Sequence, residues 1–93
     1  MAELKLRKPF ELNGEEVEKI PYDLDELTGN DIERAVAELQ KKGIVVTVVE
    51  TDQRYHAMLF AMAAGISYED VTRLPLKDFS KATTAVRDFF LEE

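Results

Sequence analysis

The sequence contains no cysteine and a single histidine, so it offers few of the side chains that bind transition metals or act as thiolate nucleophiles. Without cysteine, neither a disulfide nor a thiolate zinc site is available to stabilise a chain of 93 residues. The lack of cysteine also fits a reducing compartment. His56 has no partner at metal-ligand spacing, and we interpret it as a structural residue.

Long apolar runs are missing as well. The longest near-apolar stretch, residues 57–66, is far shorter than the roughly 20 residues that a helix needs to cross a bilayer. Residues 1–10 carry charges throughout and lack the apolar centre of a signal peptide. The sequence therefore predicts an intracellular protein that does not use a membrane as its partner.

Basic residues are scarce in one half of the chain, where acidic residues concentrate. The net charge is -7, and nine acidic residues lie between Glu11 and Glu33 with Lys19 as the only base among them. Such a surface repels phosphate backbones and anionic lipids, which argues against nucleic acid as a partner. Two interpretations stay open for this segment: a solvated face, or a docking surface for a basic partner.

The first part of the chain predicts a β-hairpin. Apolar and polar residues alternate over residues 4–12, which is the period of a half-buried strand. Asn13-Gly14 follows, the pair that best tolerates the positive φ angles of a two-residue turn. With that turn, Phe10 lies opposite Val17. We expect a short hairpin within residues 1–20.

Caps and apolar periodicity predict helices in the rest of the chain. Thr28 and Ser67 each precede an acidic residue by three positions, the pattern of a capping box. The predicted helices span residues 29–42, 52–64, 68–74 and 76–91. The second is apolar on nearly every face, which is typical of a helix at the centre of a bundle. The β-branched run at 44–49 fits either a strand or an extended connector.

These elements predict one domain over residues 1–93. Its fold class is α+β and mostly α: a short N-terminal β-hairpin followed by a three- to four-helix bundle.

Convergent polar groups at catalytic spacing are absent from the sequence, so we assign no catalytic, cofactor-binding or metal-binding residue and do not expect an enzyme. Ala61, Gly65 and Val71 have the spacing of a helix-turn-helix unit, which makes a small DNA-binding regulator one alternative function. Against it, the second helix would begin with acidic residues and end before Pro75. An acidic adaptor that binds another protein is a further alternative.

The order of several motifs resembles the tail assembly chaperones of tailed bacteriophages. The matching segments are YDLDELTGNDI at 22–32, YHAMLFAMAA at 55–64, GISYEDV at 65–71, LPLKDF at 74–79 and FFL at 89–91. Together they cover nearly the whole chain, from about residue 7 to residue 92. The resemblance implies a small protein of the bacterial host cytoplasm, which is made before the tail tube polymerises and is missing from the mature virion.

The resemblance also implies the partner, the tape measure protein, a long helical chain that sets tail length. The tail tube protein is a second expected partner, and the sequence leaves self-association into a homo-oligomer open. Such a function requires apolar surface that a partner can cover. The candidate partner-binding residues are Val46, Val48, Val49, Phe60, Phe90 and Leu91. For each of them, an ordinary core position or a frayed helix end is the alternative.

Overall fold

An antiparallel hairpin opens the computed structural model, which describes residues 2–46 and 52–91. Strand β1 (Ala2–Leu12) pairs with strand β2 (Glu15–Tyr22) across a turn made of Asn13 and Gly14. Both turn residues have positive φ angles, 53° and 82°, as this hairpin turn requires. Phe10 lies opposite Val17, the register that the sequence predicts.

Helical elements follow the hairpin. A short 3₁₀ turn (Leu24–Glu26), which was not predicted, leads into the first α-helix. The α-helices are α1 (Gly29–Lys41), α2 (Gln53–Ala64), α3 (Tyr68–Thr72) and α4 (Leu76–Leu91). A hairpin followed by four α-helices confirms the predicted α+β fold that is mostly α.

The helix boundaries follow from local capping. The carboxylate of Asp31 accepts the backbone N–H of Thr28 at 2.8 Å, and Ser67 Oγ accepts the N–H of Asp70 at 3.0 Å. These bonds satisfy donors that the start of a helix leaves unpaired. Helix α3 ends at Thr72, two residues before the predicted end, because the residue before Pro75 avoids the α conformation.

The segment after α1 was left open between a strand and a connector. Residues 44–46 form neither helix nor strand, and residues 47–49 lie outside the described residues. Ile44 and Val46 are half-buried and pack against the core, whereas Val45 is exposed.

Helix α2 is the centre of the molecule. It packs against α1, α3 and α4, and also against β2 and the 3₁₀ turn. Its residues 55–61 are all buried, in line with its apolar sequence. Phe60 is fully buried there, and its ring lies 4.9 Å from the ring of Tyr22 on β2. The core is therefore built around one helix that other elements enclose.

The hairpin is joined to α4 through an interruption in its ladder. Pairing between the strands stops after Lys5 and resumes at Phe10, and only Glu18 lies opposite the intervening residues 6–9. The backbone N–H of Arg7, within this bulge, donates to the two carboxylate oxygens of Asp78 at 3.0 and 3.3 Å. Asp78 is fully buried in the first turn of α4. The bulge thus supplies the donor that a buried carboxylate requires.

The buried histidine belongs to α2. His56 is 2% exposed, and its ring lies 5.8 Å from that of Tyr55. Burial lowers the pKa of His56 below its ordinary value, and the charge of Arg87 lowers it further, whereas Asp52 acts in the opposite direction. The folded protein therefore favours the neutral imidazole.

Two phenylalanines test which side chains form the core. We expect Phe60→Ala to lower the free energy of unfolding by about 3–5 kcal/mol, because it leaves a cavity beside Tyr22. Phe90→Ala is the matched control and should cost less, about 1 kcal/mol, since that residue is half exposed. Urea denaturation followed by circular dichroism measures both. Equal losses would contradict this assignment.

The contact between the hairpin and α4 makes a second prediction. Asp78→Ala removes the acceptor of the Arg7 N–H and should lower the free energy of unfolding by about 1–3 kcal/mol. Asp88→Ala, on the exposed side of the same helix, should change it by no more than about 0.5 kcal/mol. The same urea titration measures both variants. An Asp78→Ala variant with unchanged stability would show that the bulge is not held by this bond.

His56 predicts a pH dependence. The pKa of His56 is higher in the unfolded chain than in the folded protein. As the pH falls from about 7.5 to about 5.5, the unfolded chain therefore takes up a proton more readily, and the free energy of unfolding decreases. The free energy of unfolding of the native protein should therefore fall relative to that of His56→Gln. Parallel pH profiles of the two proteins would refute the lowered pKa, because the chain has no other histidine.

Candidate protein-binding surface

Exposed apolar side chains mark the end of α4. Phe90 is 49% exposed and Leu91 is 72% exposed. Among the described residues, Val45 and Leu76 are the other large apolar side chains with such exposure. Leu76 begins α4 and is separated from Leu91 by the 16-residue length of the helix, so the two ends present different surfaces.

Phe90 is held in place by two neighbouring rings. The ring of Phe89 lies 6.2 Å from it in an edge-on arrangement, and the ring of His56 lies 6.4 Å from it. Both distances are within the range of favourable aromatic contacts. The position of His56 is set in turn by the core, so Phe90 presents a defined apolar edge to solvent.

An apolar groove adjoins Phe90. Its volume is about 190 Å³, and we call it the terminal groove. The 3₁₀ turn, the start of α1, α2 and the end of α4 line it with Leu24, Leu27, Thr28, Gly29, Ile32, Leu59, Phe89 and Phe90. Leu24 begins the 3₁₀ turn, and Leu27 is the extended residue that follows it. The groove is therefore lined from both ends of this turn.

A second, acidic pocket is a neighbour of the terminal groove, and Leu24 and Phe89 line both. The acidic pocket has a volume of about 350 Å³. Its lining residues are Ala2, Tyr22, Asp23, Leu24, Asp25, Ala85, Asp88 and Phe89. In the described part of the chain, neither cavity has a lysine or arginine in its lining. An apolar surface and a carboxylate surface therefore lie side by side.

The carboxylates of the acidic pocket have few neutralising contacts. The carboxylate of Asp23 accepts the backbone N–H of Asp25 at 3.1 Å, which fixes the 3₁₀ turn. Asp88 has Arg87 at 3.9 Å, and both side chains are more than half exposed, so this pair contributes little. Asp25 is exposed. The pocket therefore carries net negative charge.

The predicted partner-binding residues fall into four groups. Phe90 and Leu91 are adjacent at the exposed end of α4, while Val46 is half-buried against the core after α1. Phe60 is fully buried, so its ring packs in the core and is not part of the exposed surface. The other two predicted positions, Val48 and Val49, lie outside the described residues.

Sequence reasoning did not find the terminal groove. Leu27 and Ile32 line the groove only because α4 reaches the same place. Leu24 and Leu27, three apart and separated by two acids, carry a signal for a short 3₁₀ turn with one apolar face.

The helix-turn-helix spacing corresponds to α2 and α3, but α3 has only five residues. Its exposed Glu69 is bound by Lys42 at 2.6 Å, and Asp70 is bound by Arg73 at 2.8 Å. These hydrogen bonds lower the pKa of both carboxyl groups, so they are ionised at neutral pH. A short helix that presents carboxylates is a poor reader of DNA.

The described residues contain no cluster of three or more histidine, cysteine or acidic side chains placed to hold a metal ion. None of their helices combines the length and the apolar character that crossing a membrane requires.

Comparison with known protein families yields one description that fits this fold and surface. The family "Phage tail assembly chaperone proteins, E, or 41 or 14" matches residues 3–91. Searches of curated proteins and of solved structures gave no match. The family match extends from Glu3 in β1 to the end of α4, and it includes the whole lining of the terminal groove and all of the acidic pocket's lining except Ala2. The chain therefore belongs to the family of phage tail assembly chaperone proteins.

Proposed function

We propose that this protein binds the tape measure protein of its phage or prophage and keeps it soluble in the host cytoplasm during tail morphogenesis. Family membership indicates a phage tail protein as the partner. The exposure of Phe90 and Leu91 next to the terminal groove is the observation that supports the tape measure protein as this partner. Val46, Val48 and Val49 stay predicted as further contact residues, with the tail tube protein as a second partner.

The physical basis is coverage of apolar surface. A long amphipathic chain that waits for its tube exposes apolar stripes, and such stripes associate with one another. Phe90, Leu91 and the groove beside them offer apolar surface that one stripe can bury. The net charge of -7 then keeps the complex in solution by repulsion between copies. The bound protein leaves before the tail is complete, so it is absent from the virion.

Co-expression with the tape measure protein encoded by the same phage tests this function. We expect the tape measure protein to be soluble when the native chain is present and to be largely insoluble without it. Leu91→Asp should weaken binding about tenfold or more, because it removes a leucine worth about 1.5–3 kcal/mol on burial and adds a charge. The soluble fraction and the dissociation constant of the purified complex are the measurements.

Leu76→Asp is the matched control, since it makes the same change in an exposed leucine at the other end of α4. It should leave the dissociation constant within about twofold. Aspartate at a helix C-terminus is unfavourable, so Leu91→Lys, which suits that end, separates loss of contact from fraying of the helix. A tape measure protein that is equally insoluble with and without the native chain would refute the proposed function.

A further inference from the structure

We infer that the terminal groove and the acidic pocket together form one binding site for an amphipathic helix whose apolar stripe is bordered on one side by lysine or arginine. This inference rests on the proposed function and specifies which segment of the partner is bound. According to this inference, the protein selects the segment by two features: its apolar stripe and the charges beside that stripe.

The size of the terminal groove limits what enters it. A cavity of about 150 Å³ accepts a benzene-sized molecule, so a groove of about 190 Å³ accommodates one large aliphatic or aromatic side chain. Phe90 and Leu91 continue the apolar surface beyond the groove. A helix presents side chains at i, i+3, i+4 and i+7 on one face, so one anchor in the groove places its neighbours over Phe90 and Leu91.

The acidic pocket sets the charge of the occupant. Asp23, Asp25 and Asp88 line the acidic pocket, which shares Leu24 and Phe89 with the terminal groove. A helix anchored in the groove thus brings one border of its stripe near three carboxylates. Lysine or arginine at that border gains attraction, whereas glutamate or aspartate is repelled, which discriminates between otherwise similar stripes.

Charge also decides between the candidate occupants. A second copy of this chain brings a further net charge of -7 towards carboxylates that have few neutralising contacts, which disfavours it as the occupant. A segment with basic residues beside an apolar stripe meets both surfaces at once. The occupant we assign is therefore a helix of the partner protein with that chemistry.

Two synthetic helical peptides of about 20 residues probe the site directly. Both carry leucine at i, i+3, i+4 and i+7; one has lysine along one border of the stripe, and the other has glutamate there. We expect the lysine peptide to bind the native protein at least about tenfold more tightly in fluorescence anisotropy. Raising the salt concentration should reduce this preference, because the carboxylates lie near the surface.

Charge reversal in the protein tests the acidic pocket. The double variant Asp25→Lys, Asp88→Lys should weaken binding of the lysine peptide about tenfold. The double variant Glu16→Lys, Glu18→Lys is the matched control: it changes the net charge equally, on exposed positions of β2 outside the pocket. We expect it to stay within about twofold of the native protein. Equal losses in the two double variants would overturn the inference, because net charge alone would then explain binding.

Filling the groove tests its apolar part without removing any core contact. Gly29 lines the groove, and a Cβ atom built there has no neighbour within 4 Å. We expect Gly29→Phe to reduce binding of the lysine peptide at least about tenfold while the fold is kept, which circular dichroism checks. Asn30→Phe, at the next and exposed position of α1, should bind like the native protein. Unchanged binding by Gly29→Phe would overturn the groove as the anchor site.

The tape measure protein separates this inference from the proposed function. If the native chain and Asp25→Lys, Asp88→Lys solubilise it equally, the proposed function stands and the charge-selective site is refuted. If the native chain does not solubilise it but the lysine peptide binds as described, the site stands and the partner is another protein. Light scattering tests whether a second copy of this chain fills the groove. If the native protein is a dimer and Gly29→Phe is a monomer, a second copy is the occupant and the inference is overturned.

Discussion

The burial of α2 is the constraint on which the rest of the fold depends. A helix that is apolar on nearly every face cannot lie at a surface without exposing a large part of it, so other elements must surround it. Helices α1, α3 and α4 cover it, and the hairpin contributes β2. Phe60 shows the result, since its ring is enclosed by the core and contacts Tyr22 of the hairpin. Each enclosing element then needs only one apolar face.

The candidate binding surface forms where this enclosure ends. Along α4, Val86 is fully buried, Phe90 is half exposed and Leu91 is mostly exposed, so burial falls towards the end of the helix. The 3₁₀ turn and the start of α1 approach the same end and leave the terminal groove between them. A chaperone that covers another chain requires such a surface, because a domain that satisfied all its own apolar side chains would have none to offer. The acidic pocket beside it adds discrimination by charge.

The hairpin is attached by polar contacts as well as by packing. The bulge in β1 frees the N–H of Arg7, which binds the buried carboxylate of Asp78 on α4, and the carbonyl of Lys5 accepts a hydrogen bond from Lys81 of the same helix. These bonds join β1 and α4, the first and last elements in the described part of the chain. They therefore help to fix α4, and with α4 the position of the surface that Phe90 and Leu91 present.

The sequence by itself determined the local structure: the Asn13-Gly14 turn, the capped starts of the helices and the apolar character of α2 depend on neighbouring residues and on period. It also determined the net charge, and the order of its motifs resembles the phage tail assembly chaperones, the family to which the chain belongs. Tertiary structure alone decided which apolar residues remain exposed. The sequence makes both Phe60 and Phe90 candidates for contact with a partner. Only the packing of α2 and α4 shows that Phe60 is buried and Phe90 is half exposed. The terminal groove depends on residues more than 50 positions apart, such as Leu27 and Phe89, whose proximity no local pattern encodes.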